Sequence, residues 1–137
     1  MAQVVKADVV IITLGYVETW YDKELDLYLN SAPPPRLCTK FPDRFEFRVL
    51  GFEDVLKTLE KVYALLKKHR KTPLKMLLTV SPVPLLSTFR DMDVLIANTY
   101  SKSVQRAAVE TFVATKSDVD YFPSYESVTL SNPEVCW

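Results

Sequence analysis

The sequence predicts an α/β fold: a parallel sheet with helices on both faces, in three layers. Three observations predict it. Short, apolar strand-like runs recur at residues 8–15, 76–80 and 120–122. Stretches with helical periodicity, 52–68 and 99–116, separate them, and this alternation calls for right-handed crossovers and parallel strands. Finally, the chemically unusual residues fall just after the strand ends, where open α/β sheets bind ligands.

Each element has its own reason. Asp8-Val9-Val10-Ile11-Ile12-Thr13-Leu14-Gly15 is β-branched, too short for a buried helix, and fits a strand buried on both faces. The aromatic segment 16–22 leads away from the strand end. Residues 23–44 read as an irregular, ordered excursion, because Pro33-Pro34-Pro35 fixes φ three times and removes donors. Phe45-Glu46-Phe47-Arg48-Val49 alternates like a half-buried edge strand. Over 52–68, Phe52, Val55, Leu56, Leu59, Val62, Tyr63 and Leu66 share one helical face. Acids in the first turn and lysines in the last suit the helix dipole, and Thr72-Pro73 stops the helix. Met76-Leu77-Leu78-Thr79-Val80 is the second strand, with a stiff exit through Ser81-Pro82-Val83-Pro84. The helix at 99–116 would bury Val104, Ala107, Ala108, Thr111, Phe112 and Thr115. Asp120-Tyr121-Phe122 is the third strand, stopped by Pro123, and the tail runs to Trp137.

Composition narrows the function. The 137 residues make about one domain, treated as a single unit over 1–137. Lys plus Arg equals Asp plus Glu at 17 each, which argues against a nucleic-acid or anionic-membrane surface. The basic run Lys67-Lys68-His69-Arg70-Lys71 suits the end of a helix. Two glycines, Gly15 and Gly51, leave no Gly-rich phosphate loop. Cys38 and Cys136 stand far apart in no metal spacing, so no metal, cofactor or disulfide framework is expected. No apolar run approaches the ~20 residues that cross a bilayer. A reduced, cytoplasmic setting is the expectation.

The candidate site is therefore the carboxyl edge of the sheet. Gly15, Glu18 and Trp20 follow the first strand, Ser81 the second, and Tyr125 and Glu126 the third. Asn98, Ser101 and Lys102 open the second helix. Plainer readings stand beside these: Ser81 caps a loop, Glu18 is solvated, and Asn98 to Lys102 supply an N-cap. A lysine one turn into a helix opposes the dipole, which points to a carboxylate partner, Glu18 or Glu126. His69, the single histidine, belongs at the opposite edge as a solvated residue.

These residues resemble a known family. Ile12-Thr13-Leu14-Gly15 with Glu18 and Trp20-Tyr21-Asp22, then Leu78-Thr79-Val80-Ser81-Pro82-Val83-Pro84-Leu85, are similar to segments of the GSCFA domain. So are Asn98-x-x-Ser101-Lys102 with Arg106, and Tyr121-Phe122-Pro123-Ser124-Tyr125-Glu126. Four segments in order, from Asp8 to about Leu130, make the resemblance specific. It implies an SGNH-hydrolase-like, flavodoxin-like architecture and serine acyl-ester hydrolysis or transfer. A small acyl ester or a glycan is the implied substrate.

Two motifs of the family are absent. The chain has no Gly-Ser-Cys-Phe-Ala, whose serine is the nucleophile, and no Asp-x-x-His to supply the base. Glu18 stands near the superfamily's oxyanion asparagine, and an ionised carboxylate cannot donate there. The resemblance therefore implies a partial domain lacking its first strand, inactive alone, with an unpaired sheet edge open to self-association. The alternative is a non-catalytic binding or scaffold domain on the same fold. A Ser81–Lys102 catalytic pair is disfavoured, because Pro82 removes the backbone donor after the serine.

Overall fold

The computed structural model describes residues 3–132 and 134. Strands β1 (Val10–Leu14), β5 (Met76–Val80) and β6 (Val119–Tyr121) form a parallel sheet in the order β1-β5-β6. Val10 faces Met76 and Leu14 faces Val80; on the other side of β5, Met76 faces Val119. The crossovers are helices α2 (Phe52–His69) and α3 (Val94–Val113). The chain is thus an α/β protein built on a three-stranded parallel sheet.

Both crossovers step the same way along the sheet, so right-handed connections place both helices on one face. That face holds the core. Val10, Met76 and Leu78 from the strands meet Val55 and Leu59 of α2 and Phe112 of α3. Burying Leu78 or Phe112 fully contributes about 1.5–3 kcal/mol each. Ile11 points to the opposite face and is 64% exposed. The two crossover helices thus cover one face of the sheet, and β1 is not the strand buried on both faces that its apolar run suggested. No strand pairs with the far edge of β1 among the described residues.

The excursion after β1 is more regular than its prolines suggest. It forms a second, antiparallel sheet of β2 (Glu18–Asp22), β3 (Leu27–Leu29) and β4 (Phe45–Val49), in the order β3-β2-β4. Asp22 organises it. Its Oδ1 accepts from Glu24 N and Leu25 N, starting the turn, and Asp26 completes it at φ 53°. Asp22 is 2% exposed and takes the Arg44 guanidinium bidentately, which ties the hairpin to the start of β4. Arg44 holds the Asp22 carboxyl below its ordinary range. Pro35 does not break structure: it opens helix α1 (Pro35–Lys40) from the first position, where its missing N–H costs nothing.

Helix α3 begins well before the expected residue 99. Asp93 caps it, accepting from Leu95 N at 2.7 Å. The longer helix turns a different stripe inward: Ala97, Ser101, Lys102, Gln105, Ala108, Val109 and Phe112 are buried. Ala107, Thr111 and Thr115, expected inside, are exposed. The tail forms helix α4 (Ser124–Thr129); Cys136 and Trp137 lie outside the described residues.

Candidate functional site at the carboxyl edge of the parallel sheet

The exits of β1 and β5 run together for one residue beyond the strands, since Ser81 N donates to Leu14 O at 2.8 Å. Helix α3 then grips the chain leaving β1. Lys102 Nζ donates to Gly15 O at 2.9 Å, and Ser101 Oγ accepts from Val17 N at 2.9 Å. Tyr16, held between these two points, sends its hydroxyl to Pro84 O at 2.9 Å and lies with its ring 4.6 Å from Lys102 Nζ. One turn earlier on α3, Asn98 Oδ1 accepts from Leu85 N at 3.0 Å and fixes the loop after β5. Gly15, Asn98, Ser101 and Lys102 are therefore brought together.

Lys102 is 1% exposed, and burial pushes its pKa down to about 8. The expected carboxylate partner is absent. Glu18 accepts from the Thr88 hydroxyl at 2.8 and 2.9 Å. Glu126 accepts from Arg106 Nε at 2.9 Å and from the Tyr121 hydroxyl at 2.7 Å. Each carboxylate has a nearer donor, and Lys102 turns to a backbone carbonyl. Because α3 starts at Val94, Lys102 also sits in the helix interior, where the conflict with the dipole that suggested a partner does not arise.

Ser81 is half-buried, and its Oγ accepts from Val83 N at 3.2 Å, a local turn contact. The third strand end is fastened through Ser124, whose Oγ donates to Val80 O at 2.8 Å and also bonds the Thr79 hydroxyl. Burial pushes the Glu126 carboxyl up, but the hydrogen bonds from Tyr121 and Arg106 outweigh it and hold the group below its ordinary range. Tyr125 lines an open depression of about 480 Å3 with Lys102 and Arg106. His69 ends α2 among Val5, Lys71 and Thr72, at the opposite edge.

Glu18 and Trp20 belong to a second, neighbouring feature. Two residues apart on β2, they share a face. The Trp20 ring packs against Phe47, its cross-strand partner, at 5.6 Å between centroids and edge-on to Phe89 at 5.4 Å. With Tyr16 and Asn30 these residues line a cleft of about 200 Å3. Thr88 and Phe89 escaped the sequence reading, because a loop between two prolines and a helix carries no periodic signal. Phe47 was marked by strand alternation but not as part of a site.

Among the described residues no group of His, Cys, Asp and Glu is placed to hold a metal ion. No helix there is long and apolar enough to cross a membrane. Residues 1–135 match the model of the GSCFA family. No curated protein and no solved structure matches the chain.

Proposed function

The chain belongs to the GSCFA family, and on that premise we propose that it is part of an SGNH-like acyl-ester hydrolase or acyltransferase domain. In this reading it builds one wall of the pocket for a small acyl-ester or glycan substrate and turns over no ester by itself. The architecture that goes with it is three-layered, with further structure covering the open face at Ile11. A reducing, cytosolic setting goes with it too, and the free thiol of Cys38 suits it.

One observation carries the reading: the amine and the two serine hydroxyls at the exits of β1 and β5 are committed to holding backbone, and among the described residues none of these hydroxyls is bonded to a base. Lys102 Nζ serves Gly15 O, Ser101 serves Val17 N, and Ser81 serves Val83 N. A serine nucleophile needs a base within hydrogen-bond reach and a donor for the oxyanion. Ser81 has neither from its own surroundings, since Pro82 supplies no N–H and His69 lies at the other edge.

The test is hydrolysis of short-chain nitrophenyl esters by the purified chain, with Ser81→Ala as control. No turnover above the buffer rate is expected for either. Turnover that Ser81→Ala abolishes would make Ser81 and Lys102 a catalytic pair and overturn the proposal.

A further inference from the structure

We propose that the cleft between β2, β4 and the loop after β5 binds an alkylated ammonium group. The inference stands apart from the acyl-transfer reading and rests on three features of the cleft.

The first is charge. Glu18 forms no ion pair among the described residues; its hydrogen-bond donor is the neutral Thr88 hydroxyl. The other described acids without an ion pair, Asp54 and Asp93 among them, are exposed, whereas Glu18 is half-buried. No Lys, Arg or His lines the cleft, so Glu18 gives it a single uncompensated negative charge. A partly buried carboxylate satisfied by one hydroxyl keeps lone pairs, and a field, for an incoming cation.

The second is the wall. Trp20, Phe47 and Phe89 contact one another in a triangle, with centroids 5.6, 5.4 and 5.5 Å apart. Aromatic faces attract a cation through their quadrupole and also accept its methyl groups, which a strongly hydrated metal ion does not offer. The Tyr16 ring already serves Lys102, which leaves the triangle as the aromatic contact for a ligand. Phe89 is 65% exposed, so the triangle is open to solvent on that side.

The third is size. About 200 Å3 is small for a whole metabolite and suits one compact group, such as a trimethylammonium head. A sugar would find aromatic surface here too, but the lone carboxylate favours a cation over a neutral polyol.

The experiment is a titration of the whole chain with choline, followed by ligand-observed NMR. Its neutral isostere 3,3-dimethylbutan-1-ol and N-acetylglucosamine run in parallel. Choline is expected to bind saturably, with the isostere about tenfold weaker or more. Glu18→Gln, which keeps the acceptor for Thr88, should weaken choline about tenfold and leave the isostere unchanged. Phe89→Ala, at an exposed position that folding tolerates, should weaken both. The far-ultraviolet circular dichroism of each variant verifies its fold. No saturable choline binding, equal binding of choline and isostere, or preference for the saccharide would each overturn the proposal.

Discussion

Lys102 Nζ reaches the Gly15 carbonyl at 2.9 Å across 87 positions of sequence, with Ser101 bonded to Val17 N beside it. Two consecutive residues of α3 thereby fix the two peptide groups that flank Tyr16. The chain leaving β1 is held to a helix, and the carboxyl edge of the sheet takes its shape from that grip.

The lysine gives a pH dependence with a defined sign. Burial lowers its folded pKa to about 8, below its ordinary value of 10.5. Between those values the unfolded chain binds more protons than the folded one, so stability rises with pH over that interval. Below about pH 8 the folded protein carries the charge at its full cost. Thermal melts from pH 7 to pH 10.5 are expected to show a rising midpoint, and Lys102→Met should flatten the rise. A midpoint falling across that interval in the unaltered chain, with Lys102→Met removing the fall, would reverse the assignment.

Ser101→Ala leaves the buried Val17 N–H without its acceptor. An orphaned buried donor costs about 1–3 kcal/mol. Urea denaturation should show a loss of that order, and the Val17 amide should exchange faster with deuterium. Exchange at Val17 unchanged in the variant would show that the bond does not hold the segment.

Asp22 gives the opposite sign of pH effect. Arg44 holds its folded pKa below the ordinary carboxylate value of 3.8, so the stabilisation is fully present above that value. It is lost as pH falls through the depressed folded pKa. Acid titration followed by the near-ultraviolet signal of the β2–β3–β4 sheet should reveal the loss. Asp22→Asn should remove that part of the acid dependence.

The parallel sheet, both long helices and the edge strand β4 were legible in the sequence, because short apolar runs and helical or alternating periodicity report burial directly. The two β-strands around Asp22 were not. Their order comes from a buried Asp22–Arg44 pair 22 residues apart, and local pattern carries no trace of such a contact. The three prolines hide helix α1 for a related reason: position decides whether Pro breaks or starts a helix, and Pro35 sits at a start. At the site, the residues Gly15, Asn98, Ser101 and Lys102 were identified, but their roles were not. Asn98 looked like a cap, whereas the cap is Asp93 and Asn98 holds Leu85 N.

The free edge of β1 predicts self-association. No strand covers it among the described residues, and Ile11 beside it is 64% exposed. Unpaired apolar edges recruit other chains, and a charge placed on them prevents it. Light scattering should show mass rising with concentration, and Ile11→Lys should lower it towards the monomer. A monomer at every concentration would contradict this prediction.

In the proposed reading the carboxyl edge holds a pocket wall without a working nucleophile. Intact-mass spectrometry after exposure to excess serine-reactive fluorophosphonate tests it most directly. No adduct is expected, because Ser81 has no base bonded to it and Pro82 supplies no oxyanion donor. A single stoichiometric adduct that disappears in Ser81→Ala would contradict it.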